Sequence, residues 1–382
     1  MSDLRSVLER HVADGSVPGA VALVARGDDV EVEAVGVVDV EGTAPMARDT
    51  LFRIASITKP IAAAAVLILV DDGKLALSDP AGEWLPELAA PSVVRTPDAS
   101  VDDIVPAERE ITVEDLLASL AGYGFPSDFS LPVVGRLFSE LLQGPPQPQQ
   151  VSPPDEWMQK LARIPLLYQP GKHWLYNTCS DIQGVLVERA SGQSLPDFLG
   201  ERLFAPLGMA DTAFEVPDGK LERFTSYYHP EPDGGLALTD APDGQWRTVP
   251  PFPSGAGGLV STADDWLAFG RMLLAEGAAN GTQVLSPGSV RLMTTDHLTE
   301  SQRDASTLFL EGQGWGFGGS VDVDERDPWV APGRYGWIGG TGTSAHVTPS
   351  TGTVAILLTQ VAMTSPTPTA LMRDFWTYAG HG

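Results

Sequence analysis

The segment that most constrains this chain is Ser56-Ile57-Thr58-Lys59-Pro60 followed by IAAAAVLILV, Ile61 to Val70. Ten apolar residues with a proline in the first turn predict a helix that is apolar on nearly every side. Such a helix cannot lie on a surface, so other elements must pack all round it. It is too short to cross a bilayer, and Gly73 supplies its stop. A serine and a lysine stand three residues apart at its mouth. Lysine is scarce here: of Lys59, Lys74, Lys160, Lys172 and Lys220, only Lys59 has a serine three residues before it. Average composition would give roughly one Ser-x-x-Lys in a chain this long, and fewer at this lysine content.

Residues i and i+3 share a helix face, so Ser56 Oγ and Lys59 Nζ can meet. A neutral amine there can take the serine proton. The helix N-terminus turns backbone N–H groups toward an oxyanion forming on the attacked carbonyl. The same residues also fit an N-capping serine and a snorkelling lysine, and the motif alone leaves both readings open.

The helix of Leu4, Val7, Leu8 and Val12, capped by Ser2 or Asp3, is followed by AVALVAR, the turn Gly27-Asp28-Asp29 and alternating VEVEAVGVV, a β-hairpin. Strand patterns return in SVDVD, TSAHVT and TVAILLTQV, and Ser365-Pro366 predicts the start of a C-terminal helix. Between about Leu75 and Pro253 the patterns are helical (Val113–Ala121, Glu156–Arg163, Asp181–Ser191, Leu195–Phe204) with loops rich in Pro and Gly. The expected fold class is α/β (α+β): an antiparallel sheet flanked by helices, built from both termini, with an inserted, mostly helical subdomain. The expected division is 1–75 with 255–382 as the sheet subdomain and 76–254 as the helical one, the active site lying between them. The stretch QGPPQPQQVSPP, Gln143 to Pro154, cannot be helix or central strand. It is a surface linker, or a lid or rim over a pocket.

The formal net charge of −26 argues against a phosphate-backbone partner, so no nucleic acid is expected. The N-terminus has no signal-peptide h-region and the single cysteine, Cys179, allows no internal disulfide. A cytoplasmic address without a membrane partner is expected; oligomeric state cannot be read.

Further motifs fall in order along the chain: Val17-Pro18-Gly19, Leu51-Phe52-Arg53, Ser56-x-x-Lys59, Tyr176-Asn177-Thr178, Pro206-Leu207-Gly208-Met209, Gly257-Gly258-Leu259 and Trp337-Ile338-Gly339-Gly340. On these the chain resembles the class C β-lactamase-related serine hydrolases, which include carboxylesterases, D-aminopeptidases and acyltransferases. The resemblance implies the penicillin-recognising (β-lactamase/transpeptidase-like) fold and no cofactor. It implies Ser56 as nucleophile, Lys59 as base and Tyr176 as the second proton-transfer group. The N–H groups of Ser56 and of Gly340, on the edge strand after Trp337, would form the oxyanion hole. Asn177, Thr178, Trp337 and Gly339 would contact substrate. Two departures stand out. The family's Tyr-x-Asn reads Tyr176-Asn177-Thr178, so the amide is replaced by Thr178 or displaced by one position. The usual Lys- or His-Thr-Gly reads Trp337-Ile338-Gly339, which removes the cation that would meet a β-lactam carboxylate. Both favour a small, neutral ester, lactone or amide substrate, with acyl transfer, β-lactamase or D-aminopeptidase-like activity, and an idle binding protein as alternatives.

Other motifs carry less. GWGFGG, Gly314 to Gly319, precedes a strand rather than a helix, so it fails as a dinucleotide loop and reads as a glycine-rich strand edge or bend. There is no Gly-x-Ser-x-Gly elbow and no His-Glu-x-x-His. The histidines (His11, His173, His229, His297, His346, His381) are scattered, so no metal site is expected. His173, near Tyr176, reads as a packed or surface residue, as does His346. Cys179 reads as a buried, inert thiol. Trp157, Trp174, Trp315 and Trp329 could wall an apolar acyl pocket, but aromatics in this number read first as core.

Overall fold

The computed structural model describes residues 3–380; Ser2, one of the two expected caps, and His381 lie outside them. Seven strands form one antiparallel sheet: β1 (Gly19–Arg26), β2 (Asp29–Gly36), β3 (Gly314–Trp315), β4 (Ser320–Val321), β5 (Tyr335–Gly339), β6 (Thr343–Thr348) and β7 (Thr353–Thr359), in the order β3-β4-β5-β6-β7-β1-β2. β1 and β2 are joined by Gly27-Asp28, with Arg26 opposite Asp29 and Gly27 at φ +58°, where glycine is free of Cβ strain. The termini meet at β1 and β7, where Leu23 pairs with Ile356 and Val24 with Ala355. β1 and β7 are buried almost end to end. They read as apolar runs because helices cover both faces.

Helix α1 (Leu4–Ala13) begins at Asp3, whose carboxylate accepts from the Ser6 N–H, and packs with α5 (Ala370–Gly380). Helix α4 (Ala263–Leu274) lies against β1, β6 and β7, capped by Thr262. Alternation along β6 separates the two layers: a side chain at Gly270 of α4 would meet Val347, while His346 stacks edge-on against Trp376 of α5. Helix α2 (Lys59–Asp71) is buried from Lys59 to Leu69 and packs on α3 (Thr178–Ser191). Residues 76–254 add no strand to the large sheet among the described residues, yet their side chains (Leu116, Phe198) belong to the same buried cluster as Val21 and Leu357.

Several elements differ from expectation. Ser56 is not on α2: it lies in a 3₁₀ turn, Ala55–Thr58, that leads into it. The helix at Val113 stops at Leu117, and Leu195–Leu199 gives way to a wide turn over Gly200–Phe204. The C-terminal helix begins at Ala370 rather than Pro366, because the Thr369 hydroxyl caps the Met372 N–H. Pro132–Leu141 is helical, its apolar residues Val133, Val134, Leu137 and Leu141 buried. GWGFGG forms the β3–β4 hairpin. A Cβ at Gly318 (φ +79°) would meet the Lys59 carbonyl at 2.5 Å, so this glycine lets the hairpin lie on the first turn of α2.

His346 is buried, its Nδ1 3.2 Å from Ser344 Oγ. Burial, then the nearby Arg334 charge, holds its imidazole well below the ordinary histidine range. The unfolded chain therefore takes up a proton near pH 6.5 that the folded one refuses, and stability falls as pH drops below that value. Relative to His346→Gln, wild type is expected to lose up to about 1.4 kcal/mol per pH unit between pH 6.5 and 5.5. Urea unfolding of both proteins at pH 7.5, 6.5 and 5.5 measures this; parallel pH dependences would contradict it.

Candidate active site

The turn that carries Ser56 is fastened on three sides. Ile54 donates its N–H to the Leu259 carbonyl (3.0 Å), its own carbonyl accepts from Thr343 Oγ1 (2.9 Å), and the Arg53 carbonyl accepts from Thr341 Oγ1 (2.6 Å). Ala55 is thereby held at φ +44°, a conformation that a residue with a Cβ adopts at a cost. In the tight 3₁₀ turn, residues three apart eclipse one another, and Lys59 Nζ reaches Ser56 Oγ at 3.0 Å.

Lys59 is 1% exposed. Its Nζ donates to the Ala256 carbonyl (2.6 Å) and to Asn177 Oδ1 (2.9 Å), and it sits 4.6 Å from the centre of the Tyr176 ring. An ammonium has three N–H donors and an amine has two. Here two of the three partners are oxygens that only accept, and the third is a hydroxyl that can donate or accept. The cluster therefore satisfies both protonation states. As ammonium, Lys59 donates to all three; as amine, it donates to the two carbonyl oxygens and its lone pair faces the Ser56 hydroxyl. That is the arrangement a proton-accepting lysine needs.

Asn177, by its geometry, bears on the first sequence departure. It has φ +81° and ψ −65°, and the Thr178 N–H donates back to the Tyr176 carbonyl at 3.2 Å, a strained γ-turn. The γ-turn puts the amide of the residue directly after Tyr176 onto Lys59, so the amide is displaced by one position. Thr178 does not take its place: it is fully buried, and its hydroxyl donates to Gln143 Oε1 at 2.5 Å.

A cavity of about 360 Å³ opens beside Ser56, lined by Asn177, Gly340, Trp157, Trp246, Phe252 and the rim residues Gln143 to Pro148, among others. No lysine or arginine lines it. The Pro/Gln stretch is therefore a rim rather than a linker. Gln143 Nε2 donates to Asp181 Oδ2 (2.9 Å), and Gln149 Nε2 to the carbonyls of Gln245 (2.7 Å) and Thr248 (2.9 Å), so glutamines pin it at both ends. Gly340 follows β5 and a Cβ there would point into open space. β5 is an edge only locally: β4 pairs with Tyr335 and Gly336, leaving Trp337 to Gly339 hydrogen-bonded on one side.

Two expected substrate contacts fall elsewhere. Gly339 is buried against the turn that carries Ser56, where a Cβ would meet Thr343 Oγ1 at 2.2 Å and the Ile54 carbonyl at 2.5 Å. Trp337 is 3% exposed and does not line this cavity. It donates its indole N–H to Tyr176 Oη at 2.9 Å, and Tyr176 does not line this cavity either. Half-buried Tyr176 is further stacked on Phe309, with ring centres 4.6 Å apart. Trp157, read from sequence as core, does reach the cavity. His173 packs on Tyr168, with ring centres 3.9 Å apart, away from the cavity. Burial raises the Cys179 thiol to about 12, which leaves it inert.

Sequence reasoning missed Ala256, Asp181 and the ion pair under the site. Buried Arg53 donates Nε to Asp240 Oδ2 (3.1 Å) and Nη1 to the Thr225 carbonyl (2.6 Å), with Phe224 4.0 Å from its guanidinium. This pair joins the segment leading into the Ser56 turn to the segment bearing Tyr227 and Trp246 of the cavity wall. No local pattern could show a partner 187 residues away.

A family model described as Beta-lactamase matches residues 4–373. The chain belongs to the Beta-lactamase family. Within that family, Protein Rv1367c of Mycobacterium tuberculosis is 39% identical over 92% of this chain and 88% of its own length. Esterase EstB of Burkholderia gladioli is 35% identical over 96% of this chain and 93% of its own. Among solved structures, EstCE1, described as a hydrolase with promiscuous acyltransferase activity, superposes with a TM-score of 0.79 at 25% identity, covering 99% of this chain and 97% of that one. The fold expectation therefore holds: this is a β-lactamase-fold serine hydrolase family with esterase and acyltransferase members. Among the described residues no helix is long and apolar enough to cross a membrane.

Removing one partner of a buried ion pair strands the other charge. Asp240→Ala is expected to destabilise the fold by about 3–5 kcal/mol, measured as a lower urea midpoint at unchanged slope. A loss under 1 kcal/mol would show that Arg53 finds other acceptors.

Proposed function

We propose that this chain is a carboxylesterase-type serine hydrolase that acts on small, uncharged esters through an acyl-enzyme on Ser56. The observation that carries the reading is the Lys59 cluster: an amine 3.0 Å from Ser56 Oγ whose other two partners can only accept. In the first step Ser56 Oγ bonds to the ester carbonyl carbon and its proton passes to Lys59 Nζ. The N–H groups of Ser56 and Gly340 would receive the oxyanion. Collapse breaks the bond to the alkoxy oxygen, which leaves as the alcohol with a proton delivered through Lys59 and Tyr176. Water then attacks the acyl-enzyme, its proton returns through the same groups, and Ser56 is regenerated with release of the carboxylic acid.

Tyr176 fits the proton-donor role because Trp337 is a donor only. The indole occupies a lone pair of the phenol oxygen and leaves the phenol O–H free for another acceptor. The uncharged substrate follows from the cavity. No lysine or arginine lines it to compensate a buried carboxylate; His229 is the one histidine on its wall, and Asp181 is already there. This also argues against β-lactams, and lactones or amides of similar size remain within reach of the same chemistry. Asn177 would meet the substrate through its amide NH2, since Lys59 takes its carbonyl oxygen. The site would lie where the sheet part, 1–75 with 255–382, meets the helical part, 76–254.

Acyl transfer is the second reading, favoured by the likeness to EstCE1: an alcohol or amine takes the place of water in the last step. Intact-protein mass after exposure to a fluorophosphonate is expected to show one adduct on wild type and none on Ser56→Ala. Turnover of p-nitrophenyl butyrate is expected without turnover of a cephalosporin. Lys59→Met should cut kcat by about 10²–10⁴. Trp337→Phe should cut it by about threefold to tenfold, the worth of one hydrogen bond, with KM little changed. An unlabelled wild type would leave a binding protein with a buried structural lysine.

A further inference from the structure

We propose that Asp181 is a positioning residue for Lys59, acting through the Ala256 peptide and tied by Gln143 to the rim of the cavity. The inference rests on the reading of Lys59 as the base. Asp181 lies in the first turn of α3, facing α2 and the segment 254–256. Its Oδ1 accepts from Ser254 Oγ (2.6 Å) and from the Ala256 N–H (3.1 Å). The Ala256 carbonyl is the oxygen that Lys59 Nζ approaches most closely. Asp181 thus grips one end of a residue whose other end orients the amine.

The grip has little slack. A Cβ at Gly255 would meet the Ser180 carbonyl at 2.3 Å, so the segment is pressed directly onto α3. Ser254 Oγ also accepts from the Ala256 N–H at 3.2 Å, which doubles the hold. The other carboxylate oxygen, Oδ2, accepts from Gln143 Nε2, and Gln143 Oε1 accepts from the Thr178 hydroxyl. A chain of hydrogen bonds therefore runs from the rim through Gln143 and Asp181 to Ala256 and Lys59.

Burial raises the Asp181 carboxyl above its usual range, against the hydrogen bonds from Ser254, Ala256 and Gln143 and the Lys59 charge. The positioning role requires an acceptor at Oδ1 rather than a charge, because Ser254 and Ala256 both donate to that atom. This separates it from a proton-transfer role.

The experiment compares wild type, Asp181→Asn, Asp181→Ala and Asp181→Leu for ester turnover and for the rate of Ser56 labelling by a fluorophosphonate, with thermal unfolding to establish folding. Asp181→Asn keeps the acceptor at Oδ1, with the Gln143 amide turned over so that its Oε1 meets the new Nδ2 and its Nε2 donates to the Thr178 hydroxyl, and it should stay within about threefold of wild-type kcat. Asp181→Ala should lose about 10- to 100-fold in kcat and labelling rate with KM changed less than about threefold, the range of a displaced catalytic group. Asp181→Leu fills the volume without an acceptor and carries the test if the alanine variant does not fold. Folded acceptor-less variants with wild-type labelling would overturn the proposal, as would an Asp181→Asn as impaired as Asp181→Ala. Wild type that is not labelled at all would instead overturn the hydrolase reading.

Discussion

The structure is organised around keeping one amine inside an apolar core without leaving its hydrogens unpaired. An unpaired buried polar group costs roughly 1–3 kcal/mol, and a charged one more. Lys59 begins a helix buried on all sides, so every partner must be brought to it. Ser56 comes from the preceding 3₁₀ turn, Asn177 from a γ-turn ahead of α3, and Ala256 from a loop pressed onto α3. Two of the three arrive on strained backbone: Ala55 at φ +44° precedes the serine, and Asn177 itself is at φ +81°. Strain of this kind persists only where surrounding contacts over-determine it. The ties of Ile54 to Leu259 and Thr343, and of Tyr176 to Phe125, supply them.

What could be read from the sequence was whatever repeats along the chain. The first hairpin, the late strands and α2 follow periodicities of two or 3.6, or an unbroken apolar run, and the structure places them within a few residues. The family motifs also survive as local spacings. The rest depends on partners distant in sequence. The helix at Pro132–Leu141 has an apolar spacing but contains Gly135 and is framed by proline-bearing loops, so its local signal is weak. Arg53 looks like any arginine of a short local motif until Asp240 closes over it. Gly339 and Thr178 illustrate the opposite error: both sit in motifs that suggest contact with substrate, yet each is consumed by packing. The Pro/Gln stretch could be excluded from helix and strand but not placed, because Gln143 and Gln149 fix it through carboxylate and carbonyl groups elsewhere in the chain.

The two departures from the family pattern have different physical outcomes. Moving the amide from the second to the first residue after Tyr176 should carry it away from the lysine, since adjacent helical positions are about 100° apart. The γ-turn cancels that rotation by keeping Asn177 outside α3, at a local cost in backbone strain. The contact of the amide with Lys59 is present, by another route. Replacing the cation by Trp337 is not compensated in the same way. The indole keeps a hydrogen bond on the Tyr176 oxygen, but it brings no charge, and it is turned away from the cavity. On the proposed reading the Lys59 cluster keeps its partners, while no lysine or arginine stands on the cavity wall to meet an anion. With a net charge of −26 on the whole chain, long-range electrostatics oppose an anionic substrate as well. On the proposed reading, selection would come from the shape of the wall, from Trp157, Trp246, Phe252 and the pinned rim. Such walls discriminate by only a few kcal/mol per contact, which is the physical basis for expecting a broad range of neutral esters rather than one.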